Sequence, residues 1–327
     1  MATYYDIFGQ KVQYLSSDPA NLTEGQVWYN STSNTAKFQS FVASSSWATG
    51  GNMNDTQQGG GAGDSQTSAI SLQGTLGSVT TVEEYDGTSW TNGPNSSNSY
   101  GSRSAGGASA SAGLIGGYTN SPFTTYTTLE EWNGSSFSGG GSSNTPGYGQ
   151  GTCYGVNLDS LGWVGRNGPN NTANEHYDGS TWTTVNPSPP GQRTGNLAGV
   201  LTSAIMASGF VPPNNTTVNS FDYDGTSWTA ITNLPSGSDS INSGASATNS
   251  SAYMKYGGSR EPSLGRIATS DFWNGSAWSD ETSLPAPRYG GSAPAVSYTG
   301  ALMFGGPTNT TFEFQGAGAT TKTIATS

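Results

Sequence analysis

Residues 82–91 read VEEYDGTSWT, and this ten-residue phrase decides the fold because variants of it occur five times. The other copies are LEEWNGSSFS (129–138), NEHYDGSTWT (174–183), SFDYDGTSWT (220–229) and SDFWNGSAWS (270–279). In each copy two aromatic residues flank an Asp-Gly or Asn-Gly pair. Such pairs supply the positive φ angles that a tight hairpin needs. The phrase therefore predicts the end of one strand, a turn and the start of the next strand.

The spacing of the phrase indicates a repeat architecture. Its last aromatic residue recurs at intervals of 47, 45, 46 and 50 residues, and Trp47 stands 43 residues before Trp90. Periods of about 40 to 50 residues are typical of solenoids and propellers. Helical repeats need periodic Leu and Ala with few glycines, whereas this chain has 48 glycines in 327 residues. Short apolar runs bounded by Gly, Asn, Ser and Pro predict strands instead.

Each period holds four predicted strands. In one repeat they are a run of small residues near 105–110, GLIGG at 113–117, TTLEEW at 127–132 and SSF at 135–137. The Gly-Gly run returns as YMKYGG (253–258) and ALMFGG (301–306), and in weaker form as GWVG (162–165) and IMASGF (205–210). Four strands per repeat, with the smallest residues in the innermost strand, predict the antiparallel blade of a β-propeller.

These motifs resemble the kelch family, in which Gly-Gly follows the second strand and aromatic residues flank the next turn. The resemblance covers about residues 46–314 and weakens near Gln73 and Gly162, where the Gly-Gly pair is lost. It implies an all-β, kelch-like β-propeller of four-stranded antiparallel blades over residues 46–327, after an N-terminal attachment segment with a β-hairpin in residues 1–45. We expect four tryptophans to be buried between neighbouring blades: Trp90, Trp182, Trp228 and Trp278.

The blade number follows from counting second strands. Six runs of the Gly-Gly type occur, whereas Trp47 belongs to a fourth strand with no such run before it. Pairing the Trp47 strand with the last repeat, residues 288–315, gives six blades. Seven blades are the alternative, with VWYN and AKFQSF building an extra blade and residues 320–327 completing the sixth. We favour six.

Composition and charge exclude several functions. Only 9% of the residues are charged and the net charge is −11, so nucleic-acid binding is not expected. One cysteine, Cys153, cannot form an intramolecular disulfide. The first residues have no basic segment followed by a long apolar run, and no stretch approaches 18 apolar residues. We therefore expect synthesis in a cytoplasm, no signal peptide and no membrane insertion.

A second resemblance concerns residues 24–41, EGQVWYNSTSNTAKFQSF. This stretch is similar to a hairpin module near the N-termini of tail fibre and tail-associated proteins of marine bacteriophages, and YDGTSWT repeats occur in their kelch-like structural proteins. The resemblance implies a virion protein present in multiple copies. It would dock to another virion protein through apolar N-terminal residues: Tyr4, Tyr5, Ile7 and Phe8.

Residues able to support catalysis or metal binding are scarce. His176 is the one histidine, and it occupies a repeat position that Glu84 and Asp222 hold elsewhere, so we interpret it as a solvated strand residue. A zinc site needs three or four ligands of the His or Cys type, which this chain does not provide. The pairs Glu83/Glu84 and Glu130/Glu131 could serve a glycosidase, but we expect them on an exposed strand edge. We expect neither enzymatic activity nor a cofactor or metal.

The variable loops are the candidate binding surface. Connections between second and third strands and those between blades should emerge on one face of a propeller, and variable loops on a rigid scaffold suit recognition. The candidates on this face are Arg103, Tyr148, Arg193, Arg288 and Tyr289. They could bind an anionic or sugar ligand, or each arginine could fix a turn by donating to backbone carbonyls.

We therefore expect a non-enzymatic phage structural protein, a tail fibre or surface adhesin, whose loops contact a glycan or protein of the host surface. The alternatives are a carbohydrate-binding propeller outside a virion and a glycan-acting enzyme.

Overall fold

The computed structural model describes residues 12–19, 25–42, 44–56, 60–72, 80–97, 104–108, 111–115, 126–155, 161–166, 172–189, 196–211, 215–235, 244–260, 265–292 and 297–324. The chain forms two compact units. We call Met1–Ser46 with Gly316–Ser327 the terminal unit, and Trp47–Gln315 the repeat domain.

The described elements are almost entirely β-strands. In chain order the first are β1 (Gln13–Leu15), β2 (Val27–Asn30), β3 (Thr35–Val42), β4 (Ser46–Thr49), β5 (Gly60–Ser65), β6 (Ser68–Leu72), β7 (Val82–Tyr85), β8 (Trp90–Asn92), β9 (Ser104–Ala108), β10 (Ser111–Ile115), β11 (Tyr126–Trp132), β12 (Phe137–Tyr154), β13 (Leu161–Arg166), β14 (Asn174–Tyr177) and β15 (Trp182–Thr184).

The second half of the chain continues the same pattern. Its strands are β16 (Asn196–Val200), β17 (Ser203–Ala207), β18 (Phe210–Val211), β19 (Asn215–Thr216), β20 (Ser220–Tyr223), β21 (Trp228–Ile231), β22 (Gly244–Asn249), β23 (Ala252–Tyr256), β24 (Ser259–Arg260), β25 (Gly265–Arg266), β26 (Ser270–Trp273), β27 (Trp278–Glu281), β28 (Gly291–Ser292), β29 (Leu302–Phe304), β30 (Thr311–Gln315) and β31 (Gly318–Ile324), with a 3-10 turn at Tyr298–Gly300. Among the described residues no helix has the length and apolarity needed to cross a membrane.

The strands of the repeat domain group into four-stranded antiparallel repeats. Within the described residues these are repeat 1 (β5-β6-β7-β8), repeat 4 (β16-β17-β20-β21), repeat 5 (β22-β23-β26-β27) and repeat 6 (β28-β29-β30-β4). The seven-stranded sheet from β9 to β15 holds repeats 2 and 3, because the start of β12 pairs with β11 and its end pairs with β13. The fold is therefore all-β and propeller-like.

One strand pairing and one series of strand contacts in the repeat domain join distant parts of the chain. The strand that contains Trp47, β4, completes the sheet of β28, β29 and β30, as the count of second strands predicted. The first strands of successive repeats also contact one another, from β5 through β9, β12, β16 and β22 to β28. Strand β28 contacts β5 as well, so the first strands of repeats 6 and 1 are neighbours.

The repeated phrase forms the hairpin between the third and fourth strands. In repeat 1, Asp86 Oδ1 accepts the backbone N–H groups of Thr88 and Ser89 at 2.8 Å each. Equivalent oxygens make the same contacts in the sister repeats: Asn133, Asp178, Asp224 and Asn274. The glycine after each has φ between 90° and 92°. A side-chain acceptor followed by glycine thus explains the constant centre of the phrase.

One detail of the predicted turn is wrong. We expected the Asp-Gly and Asn-Gly pairs to supply the positive φ angles of a tight hairpin. Among the described residues the non-glycine residues with positive φ are Asn34 and Ser208, so in these turns only the glycine adopts it. The turn is also longer than expected, because Tyr85 pairs directly with Trp90 and leaves four residues between the strands.

The flanking aromatic residues stand opposite each other across every hairpin. Ring centroids lie 4.9 Å apart for Tyr85 and Trp90 and 4.6 Å apart for Tyr223 and Trp228. The rings then pack on the neighbouring repeat: Trp90 lies 4.9 Å from Phe304 of repeat 6. Trp132 shares a buried cluster with Ile70, Leu72 and Val82 of repeat 1. The core of the domain therefore lies between repeats.

The predicted burial of the four tryptophans holds for two of them. Trp90 and Trp182 are 5% and 7% exposed. Trp228 and Trp278 are half-buried, and the Trp278 indole donates to the carbonyl of Thr232 in repeat 4 at 2.8 Å. Trp47 donates in the same way to Thr282 of repeat 5, at 2.9 Å. The Trp47 and Trp278 indoles therefore connect repeats by hydrogen bonds as well as by packing.

The terminal unit is a four-stranded sheet in the order β1-β2-β3-β31. Strands β2 and β3 form the hairpin expected from VWYN and AKFQSF. Strand β31 pairs with β3 over seven residues, so the chain end belongs to this unit. Residues 316–327, which we expect from the sequence to belong to the propeller, lie in the terminal unit instead, because TTKTIATS alone does not reveal which strand it pairs with.

A polar cluster closes one side of the terminal sheet. The Asp18 carboxylate accepts hydrogen bonds from the Trp28 indole at 2.9 Å, the Asn30 amide at 2.8 Å and the Lys37 ammonium at 2.7 Å. Lys37, then Asn30 and Trp28, hold the pKa of Asp18 at about 2, below its ordinary value of 3.8. Trp28 is fully buried, so Asp18 anchors the connection after β1 to the centre of the sheet.

We expect Trp132→Ala to lower the free energy of unfolding by about 3–5 kcal/mol, because it empties a site between repeats 1 and 2. Trp132 has no exposed surface and shares this cluster with Phe137. Urea denaturation measures the change, and Trp132→Phe, which keeps a ring in place, should lose less. A loss below about 1 kcal/mol for the alanine variant would contradict packing between the repeats.

The Asp18 cluster should lose stability in acid. A carboxyl whose pKa is lowered on folding stabilises the folded state above its unfolded pKa, near 3.8, and this contribution disappears as the pH falls toward 2. The indole ¹⁵N–¹H resonance of Trp28 should titrate with a midpoint near 2. In Asp18→Asn this titration should be absent. A midpoint near 4 in the wild-type protein would show that the cluster does not hold the carboxylate.

Candidate binding face

Strand direction assigns every connection of the repeat domain to one of two faces. In an antiparallel four-stranded repeat, the second-to-third connection and the connection to the next repeat emerge at the same end. We call this end the loop face. The other end, the turn face, carries the first-to-second and third-to-fourth hairpins. The hairpins β18–β19 and β24–β25 extend the second-to-third connections of repeats 4 and 5 on the loop face.

Gly-Gly pairs position the chain on the loop face. Gly257 and Gly258 end the second strand of repeat 5 with φ of 64° and 110°. Gly258 N–H donates to the carbonyl of Arg288 at 2.6 Å, and a Cβ on Gly257 would lie 2.6 Å from that oxygen. In repeat 6, a Cβ on Gly306 would lie 1.9 Å from the carbonyl of Tyr289. Glycine is required because the Arg288–Tyr289 segment passes against the backbone.

The Arg288 side chain forms its hydrogen bonds within its own repeat. It is 5% exposed, and its Nη1 donates to the carbonyl of Thr310 at 2.7 Å while Nη2 donates to the Thr308 hydroxyl. The guanidinium carbon lies 4.6 Å from the centre of the Phe312 ring. Burial, and secondarily the charge of Arg266, lower the pKa of Arg288. These contacts are those that a turn-fixing arginine makes.

Tyr289 has a different neighbour. The ring is half-buried, and the guanidinium carbon of Arg266 lies 5.3 Å from its centre. Arg266 ends β25 and is exposed. The structure therefore joins Arg266, Arg288 and Tyr289 into one cluster, which we call the arginine corner. Arg266 could not be identified from the repeated phrase, because β25 belongs to a short hairpin inside a loop.

The remaining predicted site residues are not brought into this cluster. Arg103 and Arg193 lie outside the described residues, as do all four residues assigned to partner docking: Tyr4, Tyr5, Ile7 and Phe8. Tyr148 lies on β12 opposite Arg166 of β13, and its side chain is outside the described part of the chain.

The expectation of exposed glutamates is wrong. Glu83 is fully buried and Glu130 is 2% exposed. Glu83 accepts backbone N–H groups of Asn54 at 2.7 Å and Asp55 at 3.0 Å, in the segment that leads into repeat 1. The alternation of polar and apolar residues along a strand does not predict the burial of these carboxylates, because both sides of a third strand are covered.

The next two repeats contain the same contact, a third-strand glutamate that accepts backbone N–H groups of the segment entering its repeat, which we call the carboxylate clasp. Glu130 accepts the N–H group of Ser97 at 2.8 Å, in the segment that leads into repeat 2. Glu175 accepts those of Asn144 and Thr145 at 2.8 Å each, before repeat 3. Each clasp fixes the loop-face connection that enters its own repeat. We therefore assign these glutamates a structural role.

Other side chains of the third strands connect one repeat to another. The Tyr177 hydroxyl of repeat 3 donates to Glu131 of repeat 2, and burial together with this contact raises the pKa of Tyr177 to about 12. His176 Nε2 lies 3.2 Å from the Tyr223 hydroxyl of repeat 4, and burial lowers the pKa of the imidazole. His176 is therefore a half-buried contact between repeats and not the solvated residue we expected.

Among the described residues, no group of three His, Cys, Asp or Glu side chains is placed to hold a metal ion. Cys153 lies near the end of β12 opposite Trp163, and its side chain is outside the described part of the chain.

We expect Glu175→Ala to lower the free energy of unfolding by about 1–3 kcal/mol, since two partly buried N–H groups lose their acceptor. Glu175→Gln keeps one acceptor oxygen and should lose less. Thermal or urea unfolding measures both variants. A wild-type midpoint for the alanine variant would mean that the clasp does not hold the connection.

Comparison with known protein families and with curated proteins finds no match. Solved structures of similar fold do exist. The structure of YjhT superposes with a TM-score of 0.63 at 16% identity, covering 83% of this chain and 95% of that chain. At this identity the likeness concerns the fold alone, and it supports an all-β, propeller-like protein.

Proposed function

We propose that this protein is a non-enzymatic structural component of a bacteriophage particle, a tail fibre or surface adhesin. The terminal unit docks to another virion protein, and the loop face of the repeat domain contacts the host surface. The observation that carries the proposal is the pairing of an exposed aromatic sheet face on the terminal unit with a loop face built on a rigid, repeated scaffold.

The repeat domain is, in this proposal, a kelch-like propeller of six blades. The six repeats support the number, and the contact of β28 with β5 supports closure of the ring. Strand β4, which comes before repeat 1 in the chain, is the fourth strand of repeat 6. The last blade is therefore completed by a strand from the first part of the chain. In such a ring only short strands at the edge of each repeat remain as sheet edges, which suits a surface protein that must resist aggregation.

The docking surface is the side of the terminal sheet opposite the Asp18 cluster. Register places Tyr14, Tyr29, Ala36 and Ile324 in one row across the four strands. Val12, Val27 and Phe38 lie two residues along on the same side. Tyr14 is 74% exposed, Val12 54% and Ile324 41%, and these are the exposed large hydrophobic residues of the described chain. We call this row and its neighbours the aromatic face.

An aromatic face of this kind favours a protein partner. Exposed apolar clusters are costly on a free surface, and interface cores are enriched in Tyr and Phe. Tyr14 and Tyr29 already stack with centroids 4.8 Å apart, so a partner would meet an ordered platform. The partner is another protein of the particle, made with this chain in the host cytoplasm.

Particle incorporation tests the docking surface. Tyr14→Asp places a charge on the aromatic face and should abolish or strongly reduce the copies found in purified particles. Gln13→Asp is the matched control, because the adjacent residue points to the other side of the same strand and is also exposed. Quantitative mass spectrometry of particles gives the copy number. Normal incorporation of Tyr14→Asp would overturn the docking assignment, and absence of the wild-type protein from particles would overturn the virion assignment.

A further inference from the structure

The described arginines of the repeat domain gather on the loop face. Arg166 ends a second strand, Arg260 and Arg266 lie in the β24–β25 hairpin, and Arg288 lies between repeats. The described hairpins of the turn face carry Asp86, Asp178 and Asp224 and no Lys or Arg. In a chain of net charge −11, the described guanidinium groups of the repeat domain therefore lie on the loop face, which also carries the carboxylates of Asp55 and Glu281.

Arg266 is the arginine of this face that is placed to bind a ligand. It is exposed, whereas Arg288 is buried and donates to Thr308 and Thr310. The ion pair recorded in the described part of the chain is Lys37–Asp18, so Arg266 has no carboxylate partner there. Burial, and after it the charge of Arg266, lowers the pKa of Arg288.

The Tyr289 ring orients the Arg266 guanidinium. The separation of 5.3 Å between the guanidinium carbon and the ring centre is within the range of a cation–π contact. The backbone of Tyr289 is in turn positioned by the close approach of Gly306 to its carbonyl. An oriented guanidinium beside a half-exposed aromatic ring combines a bidentate donor for planar or tetrahedral anions with an apolar surface for a sugar ring.

We propose that the arginine corner binds an anionic polysaccharide that carries sulfate or carboxylate groups, with Arg266 pairing with the anion and Tyr289 contacting the adjacent sugar ring. This inference rests on the proposed function, because it names the ligand class of the loop face. Arg288 supports the site through its charge and through the position of its backbone.

Binding of the purified full-length protein to immobilised polysaccharides tests the inference. The probes are dextran sulfate, polygalacturonate and neutral dextran, measured by biolayer interferometry at low salt. We expect binding to one or both anionic polymers and none to neutral dextran. Arg266→Gln should weaken this binding by about tenfold or more, as expected for loss of a charge-assisted contact. Arg266→Lys, which keeps the charge without the fork, should retain part of it.

Two controls separate recognition from general charge and from folding. Lys322→Gln removes one positive charge from β31 of the terminal unit and should leave binding within about twofold of wild type. Melting temperatures should be unchanged in Arg266→Gln, because its exposed side chain supports no described hydrogen bond. Wild-type affinity of Arg266→Gln, equal binding to neutral dextran, or equally tight binding to double-stranded DNA would each overturn the inference.

Failure of this inference is distinguishable from failure of the proposed function. If Arg266→Gln loses polysaccharide binding while particles that carry it adsorb normally to host cells, the ligand assignment stands and host contact through this face is wrong. If the purified protein binds none of the anionic polymers, the ligand assignment is wrong whatever the particles do.

Discussion

An oxygen atom at the start of each repeated turn accepts two backbone N–H groups, and this contact brings the third and fourth strands into register. Asp86, Asn133, Asp178, Asp224 and Asn274 make it in five repeats. The register sets two aromatic rings opposite each other, and those rings form the surface on which the neighbouring repeat packs. Where Tyr is one of the rings, its hydroxyl can reach the preceding repeat, as Tyr85 of repeat 1 does with Glu313 of repeat 6 and Tyr177 of repeat 3 with Glu131 of repeat 2. The hydrogen bonds of the turn therefore determine the ring pairing, and the ring pairing determines the contact between repeats.

The same geometry gives the two faces of the repeat domain different tasks. The turn face uses its polar side chains to satisfy its own backbone, and the N–H groups that bind Asp178 hold the pKa of that carboxyl at about 2. The loop face is held from beneath by the clasps of Glu83, Glu130 and Glu175 and by the close approach of glycines to Arg288 and Tyr289. Because the connections are fixed at their bases, their tips can vary without cost to the core, which is what a recognition surface needs.

Much of the architecture could be predicted from periodicity, because the turn residues and the aromatic pairs recur at nearly constant spacing. The pairing of the Trp47 strand with the last repeat also followed, since a fourth strand without its own second strand must complete another sheet. The roles of Glu83 and Glu130 could not be predicted, because their acceptance of backbone N–H groups depends on a connection about 30 residues away. Placement of β31 failed for a similar reason, since strand partners at the two ends of a chain leave no local pattern. Arg266 was missed because its importance comes from Tyr289, a contact between two loops.

We propose that the loop face of the repeat domain is the binding surface. Hydrogen–deuterium exchange of the purified protein, with and without host cell envelope material, tests it most directly. We expect slower exchange on binding in residues 257–260 and 265–269 and around 285–290, with unchanged exchange in the turns at 86–89, 178–181 and 224–227. Protection confined to those turns, or no protection anywhere in the repeat domain, would contradict it.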